Sequence, residues 1–197
     1  MTGPALRIRR KNAFNLHREA GKLRSFDEYP LLRPEVDPQL HFSKNEVDQP
    51  FWLALAKDCV LTLASGQSRV LFHAGPARYF DMAPGEFVYV PAEAAHRVIV
   101  DEPGILIRYK ARDFGAESVL WFCESCDTEL FRSSWRQSEM LPQAGYLQGV
   151  QQFNTDEGRR TCKSCGARHA VVDLTPFRWE TVANALARGE DDDDDQD

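Results

Sequence analysis

The sequence predicts a mainly β protein: an antiparallel barrel or sandwich, followed by a small four-cysteine metal-binding appendage. Three observations carry that expectation. Residues 51–110 break into short apolar or alternating runs, four of the five cysteines fall into two Cys-x-x-Cys pairs, and helical periodicity is confined to the two ends. Alternation of period two between turn residues marks half-buried strands. Several such runs at close spacing point to a closed or double-layered antiparallel sheet.

The runs, in order, are FWLALA, CVLTLA, RVLFHA, ARYFDM, EFVYVP, HRVIV and GILIRYKA. The stretches between them (KD, SGQS, GP, APG, AEAA, DEPG) have turn compositions. Upstream, residues 13–27 set Phe14, Leu16, Leu23 and Phe26 among polar residues, which predicts a short amphipathic helix. Prolines at 30, 34 and 38 then exclude a regular helix and favour extended chain. Segments 112–120 and 131–160 read as irregular, the second because of Pro142, Gly145 and Gly149. A final helix is expected from Thr175 to Arg188, with Phe177, Val182 and Leu186 on one side. The chain therefore divides into a helix and extended arm (1–40), a barrel (41–118), a four-cysteine region (119–173), a helix (174–189) and an acidic tail (190–197).

Charge excludes some functions. The formal net charge is -6, but seven acids lie in the tail, and the remaining 23 acids face 24 Lys and Arg. The body is nearly neutral, and the tail is expected to be disordered and solubilising. The cluster Arg7, Arg9, Arg10 and Lys11 has no interleaved aromatics, so no nucleic-acid partner is expected. No run approaches the ~20 apolar residues of a membrane span, and the N-terminus lacks the apolar core of a secretory signal. A cytoplasmic protein with no membrane partner is expected.

The cysteine pairs are Cys123-Glu-Ser-Cys126 and Cys162-Lys-Ser-Cys165, with 35 residues between them. This spacing lets two thiolates on one tight turn reach a single ion, and two such turns complete a tetrahedral sulfur shell. Structural zinc or iron satisfies the pattern equally. Cys59 lies inside an apolar run and is expected to be a core residue.

The segment APGEFVYVPAEAAHRV resembles the second cupin motif through Gly85, Pro91 and His96, with His96 opening a strand and directed inward. Together with WFCESC, TCKSCG and the opening AFNLHREAGKL, it makes residues 13–170 resemble bacterial 3-hydroxyanthranilate 3,4-dioxygenase. The resemblance implies a single cupin (jelly-roll-like) barrel with a rubredoxin-like four-cysteine appendage. It also implies a homodimer, and Fe(II) held by two histidines and a glutamate. Such a protein uses O2 to open the ring of a small aminophenol-type aromatic acid. Carried over residue by residue, His96 is the ligand of the second motif. At the first motif Gln49 and Pro50 stand where the family has its glutamate, so His41 and Glu46 are the nearest substitutes. Val100 replaces an arginine four residues after His96, and Arg108, Tyr109 or Lys110 replaces a glutamate on the next strand. Arg33 and Arg108, with Arg97, are the candidates to grip a substrate carboxylate as a guanidinium fork.

His73, on an apolar strand, is read as a packed or edge residue with a replacement ligand as the alternative, and His17 and His169 suggest no catalysis. Two other functions stay open. Pro50 favours a different metal-dependent cupin reaction, such as that of an isomerase, decarboxylase or cyclase. Loss of the barrel metal would leave a non-catalytic cupin that binds a small molecule.

Overall fold

All seven apolar runs become strands in the computed structural model, which describes residues 13–188; the basic cluster at 7–11 and the acidic tail at 190–197 lie outside the described residues. The chain begins with α1 (Leu16–Ala20), β1 (Tyr29–Pro30) and β2 (Gln39–Asn45). The runs then form β3 (Trp52–Leu55), β4 (Cys59–Leu63), β5 (Gln67–Phe72), β6 (Tyr79–Met82), β7 (Phe87–Val90), β8 (His96–Glu102) and β9 (Gly104–Lys110). Next come β10 (Ala116–Phe122), β11 (Glu129–Arg136), α2 (Pro142–Thr155), α3 (Glu157–Arg160) and α4 (Trp179–Ala187).

The strands make two antiparallel sheets, ordered β1-β2-β9-β4-β7 and β11-β10-β3-β8-β5-β6. Leu53, Leu61, Val70, Val88, Val98, Leu106 and Val119, drawn from both sheets, share one buried apolar cluster, so the core lies between them. This is the mainly β, antiparallel two-sheet architecture that the sequence predicts.

Register decides what faces that core. Across β2, β9 and β4, His41, Arg108 and Leu61 stand in one row, and Gln39, Lys110 and Cys59 in the next. Directly opposed residues of antiparallel strands project from the same face. Leu61 and Cys59 are buried, so Arg108 and Lys110 point inward with them.

Three sequence expectations need correction. The helix over 13–27 shrinks to five residues. Asn15 caps it, its Oδ1 accepting from the Arg18 N–H at 3.0 Å, but Phe26 and Glu28 adopt φ of +54° and +42°, incompatible with a helix. Leu23 and Phe26 still reach buried positions, through turns rather than a helical face. Residues 112–120 are not irregular: β10 carries the six-stranded sheet across residue 118, where sequence analysis set a boundary. Residues 131–160 are not irregular either, since they hold most of β11 and all of α2.

The glycines that argued against α2 are what let it pack. A Cβ at Gly145 would stand 2.3 Å from Trp135 Cε2, and one at Gly149 would stand 2.4 Å from Val119 Cγ2. The helix therefore lies closer to the β10–β11 surface than an alanine would allow. The C-terminal helix begins at Trp179, later than expected, and buries Trp179, Val182 and Ala185. Val182 and Ala185 join a second cluster with Ala20, Leu23, Tyr29 and Phe42. No helix among the described residues is long and apolar enough to cross a membrane.

Replacing Gly145 by Ala should destabilise the fold by about 1–3 kcal/mol, the usual cost of overpacking, read as a lowered midpoint in urea. A change below about 0.5 kcal/mol would mean that the helix–sheet contact is looser than the structure has it.

Candidate functional site

Each cysteine pair sits on a tight turn built by its own backbone. In the first, the Asp127 N–H donates to the Cys123 carbonyl at 2.8 Å, and the Cys123 N–H to the Thr128 carbonyl at 2.8 Å. In the second, the Gly166 N–H donates to the Cys162 carbonyl at 2.9 Å, and the Cys162 N–H to the Ala167 carbonyl at 2.8 Å. Asp127 and Gly166 hold equivalent left-handed positions, with φ of +61° and +77°. The two turns therefore present their sulfurs in the same way.

The four Sγ atoms all lie within 4.8 Å of one another. Cys123 and Cys165 are 3.6 Å apart, and Cys126 and Cys162 are 3.5 Å apart. A tetrahedral shell with metal–sulfur bonds of ~2.3 Å would set its sulfurs about 3.8 Å apart, so the geometry fits an ion. Hydrogen bonding to the Thr128 side chain and backbone pulls the Cys126 thiol down to about 6. At Cys165 a backbone hydrogen bond from Ala167 is outweighed by the neighbours Cys126 and Cys123, which push the thiol up to about 12, so the cluster shares its protons until an ion replaces them. His73 holds the first turn against the six-stranded sheet. Its ring stacks on Phe122 with centroids 3.5 Å apart, and its Nε2 lies 2.9 Å from Asp127 Oδ1. Of the two readings of His73, the packed one matches this placement. His169 packs edge-on against Phe153 beside the second turn.

The other candidate site lies between the sheets. His96 opens β8 and is fully buried. Its Nδ1 is 3.1 Å from the Ala94 carbonyl, which accepts only from a protonated nitrogen. The Nε2 lone pair is therefore the acceptor, and Arg108 Nη1 donates to it at 2.7 Å. Burial, aided by the Arg108 charge, drops the His96 pKa to about 3, so the imidazole is neutral.

Arg108 also donates through Nε to Glu28 Oε1 at 2.9 Å. Glu28 Oε2 receives Lys110 Nζ at 3.0 Å and the Tyr146 hydroxyl at 3.0 Å. Lys110 reaches on to Glu117 Oε1 at 2.6 Å. The side chains of Arg108, Lys110, Glu28 and Glu117 are at most 3% exposed. Burial by itself would raise the Glu28 pKa, yet Arg108, Lys110 and His41 hold it well below the usual carboxylate range. At Glu117 burial wins over the Lys110 charge, and the pKa is raised.

Of the expected iron ligands, Glu46 lies outside the interior that holds His41 and His96. Glu46 is exposed and pairs with Lys44 at 2.8 Å, because it follows the last residue of β2 and leaves the sheet. Among the described residues the four cysteines form the only group of three or more His, Cys, Asp or Glu with ligand atoms that close. His41 is buried and lies close enough to Glu28 to help lower its pKa. This arrangement does not fit a ferrous centre, since Arg108 takes the His96 lone pair and the Glu28 carboxylate is held by Arg108 and Lys110.

Of the two arginines expected to grip substrate, Arg33 is exposed on the turn before β2, where its carbonyl accepts from Gln39. Arg108 alone is inside. Arg97 lies near the surface of β8 and donates to the Gln49 carbonyl at 2.6 Å.

Sequence reading missed Glu28, Glu117 and Tyr146, and had Lys110 only as one of three residues that could stand in place of the family's glutamate. Lys110 was open to discovery, because it lies two and four residues from inward-facing Arg108 and Leu106 on an alternating strand. Glu28 gave no signal, since it sits between a helix and a strand at a backbone conformation that only tertiary contacts impose.

No protein-family profile matches the chain. Its curated relatives include proteins named 3-hydroxyanthranilate 3,4-dioxygenase. The one from Bacillus cereus is 27% identical over 84 residues, covering 42% of this chain and 46% of the relative. The one from Podospora anserina is 26% identical over 84 residues, covering 42% and 44%. The one from Jannaschia is 26% identical over 137 residues, covering 68% and 70%. The match thus spans just under half of the first two relatives. Among solved structures, a hydroquinone 1,2-dioxygenase with Cd2+ and 4-hydroxybenzonitrile aligns at TM-score 0.43 and 18% identity, over 49% of this chain and 71% of that one. A cupin-2 domain protein from Shewanella frigidimarina aligns at TM-score 0.43 and 14% identity, over 50% and 93%.

His96 sets a pH test. Its folded pKa lies below its unfolded value of about 6.5, so the unfolded chain takes up a proton that the folded chain refuses. Its share of stability is complete above that value and declines as pH falls toward about 3. The urea midpoint should therefore drop between about pH 7 and about pH 5, and His96→Gln should flatten that slope. Equal slopes would show that His96 is not the buried neutral group.

Proposed function

We propose that this divergent relative of the 3-hydroxyanthranilate 3,4-dioxygenases is a cupin that keeps a structural metal at Cys123, Cys126, Cys162 and Cys165 but uses its interior for binding, without ring-cleaving iron chemistry. The single observation that supports this most is the 2.7 Å contact between His96 Nε2 and Arg108 Nη1. A histidine ligates iron through a free lone pair, and here a guanidinium takes it. Pro50 offers no ligand atom, and the exposed Glu46 is held outside by Lys44. Arg108 and Lys110 also hold the Glu28 carboxylate in ion pairs, so it is not free to take up a dication, whereas the four thiols offer a soft donor set suited to zinc or iron.

The second reading is a cupin oxygenase that opens a small aminophenol-type aromatic acid with Fe(II) and O2. It is favoured by the names of the curated relatives, at 26–27% identity. It requires His96 to be released from Arg108 and a carboxylate other than the exposed Glu46 to join it.

Anaerobic purification with elemental analysis, followed by O2-uptake assays with Fe(II) and 3-hydroxyanthranilate, separates the two. We expect one metal ion per chain in the wild type and in His96→Ala, none in the Cys126→Ser/Cys165→Ser double variant, and no substrate-dependent O2 uptake. A second ion that disappears in His96→Ala, together with O2 uptake, would establish the oxygenase and sink the binding reading.

A further inference from the structure

The buried charges between the sheets have the layout of a ligand site. Arg108 Nε, Lys110 Nζ and the Tyr146 hydroxyl converge on one carboxylate at 2.9, 3.0 and 3.0 Å. They come from β9 and α2, and the carboxylate they hold belongs to neither element. It is Glu28, on the segment between α1 and β1.

Two features mark Glu28 as an imperfect occupant. Arg108 can offer Nε and Nη2 side by side as a fork for both oxygens of a carboxylate. Glu28 takes only Nε, and Nη2 is buried with no hydrogen-bond partner. The segment also reaches the site at a backbone cost, since Phe26 and Glu28 both hold left-handed φ values. A carboxylate free of the chain carries neither restriction.

We propose that Arg108, Lys110 and Tyr146 form a carboxylate-binding site, that Glu28 is its tethered occupant, and that a small untethered carboxylic acid competes with Glu28 for it. This rests on the reading that the interior binds rather than holds iron. The segment is secured from outside the site: the Trp179 Nε1–H donates to the Phe26 carbonyl at 2.9 Å, and Gln143 donates to the Asp27 and Glu28 carbonyls. These contacts do not involve the Glu28 carboxylate. They can keep the backbone in place when that side chain is shortened, leaving space for a short acid beside the two cations.

The test uses acetate on the full chain, with acetamide as the neutral control of the same shape. In the wild type, acetate competes against a tethered group whose effective concentration is on the order of millimolar or more. Glu28→Ala removes that competitor, and acetate affinity by calorimetry should then rise by roughly tenfold or more. The thermal midpoint of Glu28→Ala should climb with acetate and not with acetamide. Adding Arg108→Met to Glu28→Ala should abolish the acetate response. If Glu28→Ala does not fold, refolding it in molar acetate should restore the native near-ultraviolet signal, while acetamide should not. A folded Glu28→Ala that responds equally to acetate and acetamide, or an unfolded one that neither rescues, overturns the proposal. Metal content measured on the same samples keeps the two readings apart. A single ion with no acetate effect defeats only this inference, whereas a second ion bound through His96 defeats the reading beneath it.

Discussion

A carboxylate withdrawn from water into an apolar interior is strongly disfavoured unless cations and hydrogen-bond donors replace its hydration. Glu28 meets that condition with a guanidinium, an ammonium and a phenol. The same condition binds the rest of the molecule together. Arg108 and Lys110 stand on the five-stranded sheet, while His96 and Glu117, which they contact, stand on the six-stranded one. Tyr146 belongs to the helix laid on β10 and β11, and Glu28 to the N-terminal segment. One network thus joins both sheets, a helix and the arm. Removing a single partner from such a network typically costs about 3–5 kcal/mol, because a charge is left buried and uncompensated. Apolar packing could tolerate small shifts of one sheet against the other, whereas these contacts do not.

The two candidate sites obey opposite rules. At the cysteine turns the ligand atoms are brought together by local backbone geometry, with the same hydrogen-bond pattern and the same left-handed residue in each turn. Little else in the fold has to be right for four sulfurs to converge once the turns meet. Between the sheets, convergence depends on register, on the arm and on a helix over a hundred residues away in sequence. An inward residue there can be exchanged only together with the partners that compensate its charge. The cysteine site is therefore bound to its local pattern, and the interior to partners from distant parts of the chain.

This difference explains what was legible in the sequence. The strands from β3 to β9 were readable because alternation and turn residues record local burial. The cysteine site was readable because its spacing is the geometry. His96 was correctly expected to open a strand and face inward, through the Gly85–Pro91–His96 pattern. What that pattern leaves unstated is the partner of His96, since Arg108 arrives from the opposite sheet. Glycines misled the reading of α2, because Gly145 and Gly149 serve close approach to Trp135 and Val119 and do not break the helix. Glu46 looked like a ligand on spacing alone, and its exposure beside Lys44 depends on where β2 ends.

Likeness to the dioxygenases is likewise a statement about the backbone before it is one about chemistry. A match of 84 to 137 residues at 26–27% identity can be sustained by turns, strand alternation and the placing of one histidine. The charge of the interior is set by far fewer positions. Lysine and arginine at 110 and 108, with Pro50 in the first motif, are enough to give the interior donors for a carboxylate in place of ligands for a dication. The strands on either side need no change in pattern, because Arg108 and Lys110 occupy inward positions of an ordinary strand alternation. A guanidinium aimed at His96 carries a fixed positive charge that no external ion has to supply. A protein so arranged can keep a backbone similar to that of the dioxygenases while its interior, as proposed above, selects carboxylates.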